Sequence, residues 1–534
     1  MNFDNILNNL RFDKFEVIIV GAGPVGVLAA NLLGMKGISV LLVDKNPEVL
    51  EIPRAISLDQ DALRILQAVG LSEEAMKNMP LISCVEMISP IGGVLAKINS
   101  SGLVNGHPRL VSFYQPDLER LLRKGVERFE SVCFLTDCLY LEHSQSDLGL
   151  SVKLKYNEVV KEFSASYLLA CDGAHSSIRT NQGWSLQGSS YKEDWLIVDI
   201  DGFSESMEKV EFFCNPNRPI AHVPGPQGSQ RWEFLLRNKE TRNEMENPEK
   251  IAELMKPWSK ALAGNLQRKA VYRFHAKTAN CMGKGRVYLL GDAAHLTPPF
   301  AGQGLVSGFR DAFNISWKIA AILNKEASPK VLESYDIERR PHAKKMIRLA
   351  VFLGSIIMTR SKIAAILRDL LFKILLYSPL KSYLTDMRIK PLNNFNKGLF
   401  LKKERFRNTI LYPGTTFPQA SIKLENGTWD WSDSLLGSSL AIVGYGNDPM
   451  LVLNEESKTI WKRLGGVMIY LSDQRIKSVV EDCTCFGEDV TFFFQNIFGK
   501  KNRFVIVRPD RIIGAAFEAE QADEVIKKFS NLYV

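Results

Sequence analysis

The sequence predicts a multidomain protein of mixed α/β and α+β class, with a parallel-sheet domain, an inserted mixed β-sheet and a separate C-terminal unit. The chain of 534 residues is long enough for about three domains. A strand, glycine turn, helix and strand occupy residues 15–45, and short apolar strands of this kind belong to buried parallel sheets. Turn-rich β-type segments over about 186–279, and more strands beyond 405, indicate two further sheets.

The domain boundaries follow from these changes in pattern. We expect the first domain over 1–185, with a segment near 76–110 that joins the inserted sheet, and we expect that sheet over 186–279. The first domain then resumes over 280–345. Residues 346–404 form a helical connector with Leu, Ile and Phe at helical spacing, and the last unit covers 405–534.

Composition excludes several classes of protein. Lys and Arg total 67 and Asp and Glu total 59, a formal charge of +8 with no basic tail, which argues against a nucleic-acid partner. With 46% hydrophobic and 24% charged residues, the chain is neither disordered nor fibrous. The eight cysteines are scattered without a C-x-x-C pair, the Cys483-Thr-Cys485 spacing is too tight for one, and the histidines show no metal-ligand spacing. Free thiols and no metal are expected.

Two segments bear on location. The N-terminal MNFDNILNNLRFDK lacks an apolar signal region, and the longest apolar run, Leu349 to Met358, is too short to cross a bilayer. We therefore expect a cytoplasmic protein. The apolar helices near 346–385 carry basic flanks, so we expect them to pack between domains or in a homodimer, with a membrane surface as the alternative.

The first motif is a glycine loop. Gly21, Gly23 and Gly26 fit G-x-G-x-x-G: the first permits a tight turn, the second admits a pyrophosphate, and the third allows close helix–strand packing. Asp44, followed by Lys45, ends the next strand and can accept hydrogen bonds from a ribose diol. The motif predicts binding of a dinucleotide without a 2′-phosphate, and by itself it fits NAD and FAD equally.

Two later motifs indicate FAD. A strand runs into Asp172 within YLLACDGAHSSIR, residues 167–179. Another strand ends at Asp292, which can hydrogen-bond a sugar-like hydroxyl chain, and the loop 301–304 then opens a helix. A reduced flavin is anionic on one side of its ring, and the N–H groups and dipole at a helix N-terminus stabilise that charge.

These three motifs in this order resemble the FAD-dependent aromatic hydroxylases related to para-hydroxybenzoate hydroxylase, and most of all the three-domain 3-(3-hydroxyphenyl)propionate hydroxylase type. The similarity covers nearly the whole chain and includes five further segments: 53–71, 114–123, 217–234, 332–343 and 506–514. It implies a Rossmann-type FAD-binding domain with an inserted substrate sheet. It also implies a C-terminal thioredoxin-like domain that lacks the redox cysteine pair.

The resemblance assigns roles along the FAD molecule. The ADP half would be held by Gly21, Gly23, Gly26, Asp44 and Lys45. Its implied contacts with the pyrophosphate, ribityl chain, nicotinamide and flavin ring come from Arg54, Gln115, Asp172, Asp292, Gly302, Gly304, Leu305 and Val306. Taken alone, Arg54 also reads as a surface arginine and Gln115 as a helix-cap neighbour. Val306 departs from the family's usual Asn, which matters if the side chain rather than the backbone N–H positions the flavin.

The resemblance also implies the chemistry. NADH or NADPH would reduce FAD, O2 would add at the flavin C4a position, and the hydroperoxide would hydroxylate a small phenolic substrate. The protein must then exclude water and help to deprotonate the phenol. Because the chain has no second nucleotide fingerprint, the nicotinamide cofactor is expected to bind transiently in a groove.

The substrate pocket is expected between the Pro298-Pro299-Phe300 turn and the inserted sheet. Pro298 and Phe300 are predicted to approach the substrate ring. His222 is a candidate phenol base and Arg218 a candidate partner for a substrate carboxylate; the alternatives are a satisfied sheet histidine and a solvated arginine at a strand end.

Four functions remain open on the sequence alone. The leading hypothesis is hydroxylation of a phenolic acid of the hydroxyphenylpropionate kind. A polycyclic or polyketide aromatic in a biosynthetic pathway is the nearest alternative. Val306 motivates a third, a flavoprotein that no longer oxygenates, and the apolar basic helices motivate a fourth, a peripheral-membrane hydroxylase of a quinone pathway.

Overall fold

A computed structural model describes residues 14–147, 149–203, 207–379, 381–386, 389–406, 409–473 and 484–534. Most of the N-terminal segment in which we expect no signal peptide, residues 1–13, lies outside this part of the chain. So does Cys483 of the closely spaced cysteine pair.

A six-stranded sheet organises the first domain. Its strands lie in the order β19-β20-β13-β1-β2-β9. They are β1 (Val17–Val20), β2 (Val40–Val43), β9 (Val132–Leu135), β13 (Tyr167–Ala170), β19 (Gly283–Lys284) and β20 (Val287–Leu289). All pairs are parallel except β19 with β20. Residues of β1, β2 and β13 are fully buried, as the continuous apolar runs predict.

Helices cover this sheet and the chain around it. They are α1 (Pro24–Gly34), α2 (Gln60–Ala68), α3 (Ser72–Met76), α4 (Gln115–Val126), α5 (Ser177–Asn181) and α8 (Gly304–Leu323). Pro24 occupies the first turn of α1, where its missing N–H costs nothing. Asp59 caps α2 by accepting the N–H groups of Asp61 and Ala62.

The inserted sheet has eight strands in the order β21-β18-β14-β17-β16-β15-β4-β5. They are β4 (Cys84–Ser89), β5 (Gly93–Asn99), β14 (Leu186–Asp201), β15 (Lys209–Phe213), β16 (Ile220–Pro224), β17 (Gln230–Leu235), β18 (Asn265–Ala279) and β21 (His295–Leu296). Only β15 and β4 pair in parallel, so the sheet is mixed. The structure thus brings the segment near 76–110 into this sheet.

Smaller elements complete this half of the molecule. A three-stranded sheet consists of β10 (Cys138–Ser146), β11 (Gly149–Tyr156) and β12 (Val159–Ala165). Two strand pairs are β3 (Ser57–Asp59) with β8 (Leu110–Ser112) and β6 (Leu103–Val104) with β7 (His107–Pro108). The remaining elements are helices α6 (Arg242–Met245) and α7 (Pro248–Met255) and 3-10 turns at Lys256–Ala263, Gly291–Ala293 and Pro299–Ala301.

The connector differs from its predicted boundary. A 3-10 turn at Pro329–Leu332 leads into α9 (Glu333–Ile357), α10 (Lys362–Leu376) and the short α11 (Lys381–Thr385). A boundary at 346 therefore falls inside one continuous helix, because buried contacts from Ser334 to Ile357 hold α9 together across Pro341.

In the described part of the chain no single helix has the length and hydropathy needed to cross a membrane. Residues 329–357 and Lys362–Leu376 pass that criterion only as a pair, with a bend of 113° between them.

The C-terminal unit is built on a seven-stranded sheet in the order β23-β22-β26-β25-β24-β27-β28. Its strands are β22 (Ser421–Leu424), β23 (Trp429–Trp431), β24 (Ala441–Tyr445), β25 (Val467–Ser472), β26 (Thr484–Glu488), β27 (Arg503–Val507) and β28 (Ile513–Glu518). Its helices are α12 (Asp433–Leu436), α13 (Pro449–Val452), α14 (Glu455–Arg463), α15 (Phe493–Phe498) and α16 (Ala522–Ser530), with a 3-10 turn at Ala519–Gln521. The parallel β24–β25 unit, the antiparallel β27–β28 pair and the terminal helix are compatible with a thioredoxin-like domain, which stays a prediction.

Candidate functional site

A cavity of about 450 Å³ lies between the strand ends of the first domain and one face of the inserted sheet. The first domain contributes Gly23, Pro24, Arg54, Ile56, Ser57, Asp59, Gln115, Gly173, Asp292, Gly302, Gly304 and Leu305. The sheet contributes Val85, Met87, Ile98, Val210, Phe212, Ala221, Val223, Arg231 and Glu233. The connector contributes Leu349, Leu353, Ile357, Ile389 and Lys390. A polar end therefore meets a mostly apolar wall.

The glycine loop forms one rim of the cavity. Gly21 has φ of +103°, and a Cβ at this position would collide with the carbonyl group of Cys171, so only glycine fits the turn. Gly23 precedes α1, and no side chain caps the helix there. A Cβ on Gly23 would meet no atom within 4 Å, so the first N–H groups of α1 face open space.

Asp44 fixes the loop from the end of β2. One carboxylate oxygen accepts the N–H of Ala22 at 2.6 Å, and the other accepts the N–H of Asn46 at 2.8 Å. Asp44 and the exposed Lys45 do not line the cavity; they lie where a dinucleotide that extended along α1 would reach the surface.

Gln115 and Arg54 lie next to each other at the cavity. The Gln115 side-chain oxygen accepts the N–H groups of Arg54 at 3.1 Å and Ala55 at 2.8 Å. Gln115 therefore holds the backbone of this segment in place, and the Arg54 side chain remains exposed beside the cavity.

Asp172 lies just behind the cavity wall, which Cys171 and Gly173 line on either side of it. Its Oδ2 accepts the N–H of Ile178 at 3.3 Å, whereas its Oδ1 is buried without a hydrogen-bond partner among the described residues. Burial raises the pKa of this carboxyl, and hydrogen bonds from Ser176 and the backbone partly oppose the rise.

A buried ion network supports the turn that carries Asp292. Asp311 on α8 accepts the N–H of Gly291 at 3.1 Å, contacts His295 Nε2 at 2.6 Å, and accepts Arg339 Nε at 2.8 Å. Burial alone would raise the pKa of Asp311, but His295 and Arg339 lower it overall. The lowered pKa favours the ionised form of Asp311, which accepts the hydrogen bond from the turn.

Asp292 itself is open to the cavity. The surrounding protein desolvates its carboxyl group and raises the pKa, against smaller opposing effects of His295 and Arg54. A carboxyl group in this position can hydrogen-bond the hydroxyl groups of a bound chain.

The second helix N-terminus opens onto the same cavity. Gly302 ends the 3-10 turn with φ of +61°, and α8 begins at Gly304 without a side-chain cap. Gln303 is pinned beneath the loop, because its amide donates to Asp59 at 3.0 Å and its oxygen accepts from Arg310 at 3.0 Å. A Cβ on Gly304 would meet no atom within 4 Å, so this N-terminus also faces open space.

Val306 points away from the cavity. Its side chain is fully buried in the core of the first domain, whereas its neighbour Leu305 lines the cavity. The side chain that replaces the usual Asn therefore has no contact with the cavity, and only the backbone of Val306 belongs to the uncapped first turn of α8.

The proline turn reaches the cavity through Phe300, as predicted, but not through Pro298. Pro299 and Phe300 line it, but Pro298 is buried behind them. The ring centroids of Phe300 and Trp195 are 5.6 Å apart in an edge-on contact. Pro298 is therefore wrong as a cavity residue, because it starts the 3-10 turn whose next residue points inwards.

His222 and Arg218 do not reach the cavity. Ala221 and Val223 of β16 line it, so strand alternation turns His222 to the opposite face. There it stacks on Trp232 at 4.4 Å and contacts Glu211 and Gln230. Both geometric expectations are corrected.

Arg218 forms its own buried contacts. Its guanidinium group donates to the carbonyl of Leu235 at 2.7 Å and pairs with Glu240. It is not available to a substrate carboxylate because its charge is already neutralised.

Three further charged residues that face the cavity were missed. Arg231 and Glu233 lie on the same face of β17, on either side of Trp232. Asp59 also faces the cavity, near the loop at residues 301–304. Its carboxylate accepts hydrogen bonds from Lys390, Arg310 and Gln303. In the segment QRWEF, the charges alternate with aromatic residues, a signal that two opposite faces differ in polarity; it does not show which face turns inwards.

These residues fit FAD. Two uncapped helix N-termini, at Pro24 and Gly304, open on one cavity and suit a pyrophosphate and an anionic ring edge. Gly23 and Gly304 leave the space that such a molecule needs. Asp292 has a carboxyl group open to the cavity that can accept hydrogen bonds from hydroxyl groups of such a molecule, whereas Asp172 lies behind the wall.

Comparison with known proteins agrees with this arrangement. A family model described as FAD binding domain matches residues 14–350, and one described as HcaD C-terminal domain matches 414–532. The chain is 32% identical over 531 residues to the 3-(3-hydroxy-phenyl)propionate/3-hydroxycinnamic acid hydroxylase of Escherichia coli (strain K12), covering 97% of this chain and 94% of the relative. The enzyme of the same name from Shigella sonnei (strain Ss046) gives the same identity and coverage.

Solved structures share the fold. The flavin-dependent monooxygenase PieE, in complex with FAD and substrate, superposes with a TM-score of 0.81 at 16% identity, covering 97% of this chain and 99% of that one. Aklavinone-11 hydroxylase with FAD and aklavinone gives a TM-score of 0.76 at 19% identity with the same coverage. FAD is thus the cofactor of this protein, and the chain belongs to the FAD-dependent aromatic hydroxylases, a family of monooxygenases.

Proposed function

We propose that this protein hydroxylates a monocyclic phenolic acid of the hydroxyphenylpropionate type, with NADH or NADPH as the reductant. The observation that carries the proposal is the continuity of one cavity from two open helix N-termini to an apolar sheet wall. The 32% identity to the 3-(3-hydroxy-phenyl)propionate hydroxylase of Escherichia coli supports the substrate class.

The reaction would consume one O2, one NAD(P)H and one proton and yield a hydroxylated ring, water and NAD(P)⁺. When bound, FAD takes up a hydride and activates O2 so that one oxygen atom reaches the ring. The chain's own contribution is positioning and the exclusion of water. Apolar side chains surround the space opposite the loop at residues 301–304; they belong to Phe212, Val223, Leu353 and Ile357.

The residues predicted to hold FAD are proposed to do so in the following way. Gly21, Gly23 and Gly26 with Asp44 would serve the ADP half. Asp292 and the loop at Gly302–Leu305 would serve the ribityl chain and ring.

Substrate-stimulated oxidation of NADH and NADPH tests the proposal. We would compare 3-(3-hydroxyphenyl)propionate, 3-hydroxycinnamate and other monocyclic phenols with polycyclic aromatics, and identify products by a mass gain of one oxygen atom. Stimulation by a monocyclic phenolic acid with matching product is expected. If no monocyclic phenol stimulates, the proposed substrate class is wrong and a polycyclic substrate takes its place. If reduced enzyme reacts with O2 and ligand to give peroxide alone, the protein no longer oxygenates.

A homodimer in the cytoplasm belongs to the same proposal. Helix α10 turns six large apolar side chains outwards: Ile363, Ile366, Leu367, Leu370, Leu371 and Ile374. Monomeric proteins rarely expose contiguous apolar patches of this kind, so we expect a second copy of the chain to cover them. Light scattering should give twice the mass of the chain; a monomer that binds anionic vesicles at low salt would support the membrane alternative.

A further inference from the structure

The sheet wall of the cavity is apolar except at two positions. Strand alternation places Val210 and Phe212 of β15, and Ala221 and Val223 of β16, on the cavity face. On β17 the same face carries Arg231 and Glu233. A substrate ring that lay on this wall would therefore meet no other ionisable group there.

The guanidinium group of Arg231 already has hydrogen-bond partners within the protein. Its guanidinium group pairs with Asp199 at 2.6 Å and donates to the carbonyl groups of Pro53 and Arg54 at 2.6 and 3.0 Å. It therefore ties the sheet to the segment that carries Arg54 beside the cofactor space.

The side chain of Glu233 differs from Arg231 in its contacts. Its side chain is 7% exposed and borders the cavity, and the described residues give it no hydrogen-bond or ion-pair partner. A carboxyl group buried without a partner costs stability. A ligand that brings a hydroxyl group into the cavity would complete its hydrogen bonding.

The position of Glu233 along the strands suits a substrate ring. In the register of β14 with β17, Trp195 lies opposite Leu235 and Asp199 lies opposite Arg231. Glu233 lies opposite Ile197, between these two pairs. Trp195 also contacts Phe300. Each step of two residues is roughly 7 Å. Glu233 therefore lies midway between the level of the Phe300 turn and the level of the Pro53–Arg54 segment.

Burial of Glu233 favours proton uptake. Burial raises the pKa of its carboxyl group and outweighs the nearby charges. Among those charges the guanidinium group of Arg231 on β17 has the largest effect and lowers the pKa, the carboxylate of Asp199 on β14 raises it, and Arg268 on β18 lowers it. From β16, the neighbouring strand, Ala221 faces Glu233 and carries no charge. A carboxylate with a raised pKa is a better match to a phenol as a general base.

We propose that Glu233 is the catalytic base that hydrogen-bonds the ring hydroxyl of the substrate and takes its proton. The inference rests on the proposed function and deepens it. The phenol O–H bond breaks, the proton moves to a Glu233 carboxylate oxygen, and the electron pair stays on the phenol oxygen. That pair raises the electron density of the ortho and para ring carbons, and the proton leaves to solvent after turnover.

Glu233→Gln tests the base, since the amide keeps the shape and cannot take the proton. With 3-(3-hydroxyphenyl)propionate at neutral pH, we expect product formation to fall about 10²–10⁴-fold. The loss should shrink as the pH approaches about 10, where free phenols ionise without help. FAD content should stay stoichiometric. Glu211→Gln is the matched control, because Glu211 lies on β15 of the same sheet, two strands from β17, and its side chain pairs with His222 on the opposite face.

A binding measurement separates this inference from the proposed function. We would titrate oxidised holoenzyme with 3-(3-hydroxyphenyl)propionate and with 3-phenylpropionate, which lacks the hydroxyl group. The wild type should prefer the phenol, and Glu233→Gln should reduce that preference about tenfold, since a hydrogen bond to a charged group is stronger than one to an amide. This result supports Glu233 even if turnover fails with every monocyclic phenol. Unchanged preference and product formation within threefold of the wild type would overturn it, as would failure of the wild type to bind the phenol.

Discussion

At the scale of single residues, Asp292 bears most directly on the cofactor. Its carboxyl group is open to the cavity at the end of a turn that Asp311 and Arg339 hold rigid. We expect Asp292→Ala to purify colourless, because losing one or two hydrogen bonds to a charged group weakens binding by about 1.5–3 kcal/mol each. The ratio of flavin to protein absorbance after gel filtration measures the effect.

The control for this variant is Asp292→Asn, which keeps one hydrogen-bond acceptor and should retain an intermediate amount of flavin. Circular dichroism should show the same secondary structure for all three proteins. Stoichiometric yellow flavin in Asp292→Ala would refute the ribityl role of this residue.

The buried pair of Arg231 and Asp199 supports the cavity in a second way. Both side chains are nearly inaccessible, at 1% and 11% exposure. We expect Arg231→Leu to lower the free energy of unfolding of the holoenzyme by about 3–5 kcal/mol, because Asp199 keeps only the distant Arg268 as a partner at 3.8 Å.

Arg273→Leu is the matched control on the adjacent strand β18. Its guanidinium group is 52% exposed and pairs with Asp194, so its loss should cost less than about 1 kcal/mol. Equal destabilisation by the two variants in urea titrations would contradict the role given to Arg231.

At the scale of elements, helix α8 determines whether the Val306 side chain can reach the cavity. The side chain packs in the core of the first domain, and the cavity sees only the backbone of this turn. We expect Val306→Asn to destabilise the protein by about 1–3 kcal/mol, since it buries an amide without a partner, and not to raise the yield of product per NADH.

Val306→Ala is the companion variant: it should also destabilise the protein through a small cavity, yet keep full flavin content. If Val306→Asn instead improved the coupling of NADH oxidation to hydroxylation, the side chain would act on the flavin after all. The hypothesis of a flavoprotein without oxygenation would then gain its support from this position.

The junction of β7 with α2 should make stability depend on pH. Burial and the nearby Arg64 lower the pKa of His107 to about 4, and Asp433 opposes them weakly. His107 Nε2 contacts Gln67 at 2.6 Å, and Gln67 in turn contacts Gln419 of the C-terminal unit. The folded protein thus binds the proton less well than the unfolded chain, whose histidine pKa is about 6.5.

The contribution of His107 to the free energy of unfolding is therefore fully present above the pKa that this histidine has in the unfolded chain. It is lost as the pH falls towards the pKa that it has in the folded protein. Between pH 7 and pH 5 the wild type should lose up to about 2 kcal/mol through this residue. The difference in unfolding free energy between wild type and His107→Gln, measured at both pH values, checks the prediction. A difference that does not change with pH would contradict it.

At the scale of the whole molecule, the sequence predicts what is local and misses what depends on distant pairing. The glycine loop and the turns at Asp172 and Asp292 could be predicted because each motif contains its own strand, turn and helix. The inward face of β17 could not. It depends on how β14 to β17 cross the first domain and on β4 and β5, which come more than a hundred residues earlier in the chain.

The same reason explains His222. Its strand β16 reads Ile-Ala-His-Val-Pro, and this local pattern does not show which face points to the cavity. The contact of Asp59 with Lys390 joins residues 331 positions apart, so no local pattern signals it. The boundary predicted at 346 lies within α9, because the Leu, Ile and Phe spacing that suggested it begins partway along a helix that already starts at Glu333.

The C-terminal unit bears on the cavity through a buried charge network. Arg508 pairs with Glu338 of α9 and with Asp510, both at 2.6 Å, and Lys318 of α8 pairs with Glu338 at 2.8 Å. Burial alone would raise the pKa of Glu338, but Arg508 and Lys318 hold it below its usual value. Further along α9, Leu349, Leu353 and Ile357 form part of the cavity wall. The network therefore links the accessory unit to the site.

We expect Arg508→Met to have two effects for this reason. It should lower the free energy of unfolding by about 3–5 kcal/mol, because it leaves the buried Asp510 and part of Glu338 uncompensated. It should also raise the fraction of NADH oxidation that ends as hydrogen peroxide, because a displaced α9 admits water to the cavity. Lys528→Met is the control, since this lysine pairs with Glu404 and Glu524 on the surface and should change neither quantity measurably. If Arg508→Met does not purify, Glu338→Gln tests the same link, because it keeps the shape of the side chain, removes the shared charge and turns one of the two oxygens that accept from Arg508 into an amide donor. Unchanged peroxide release in a destabilised variant would show that the C-terminal unit stabilises the fold without shaping the cavity.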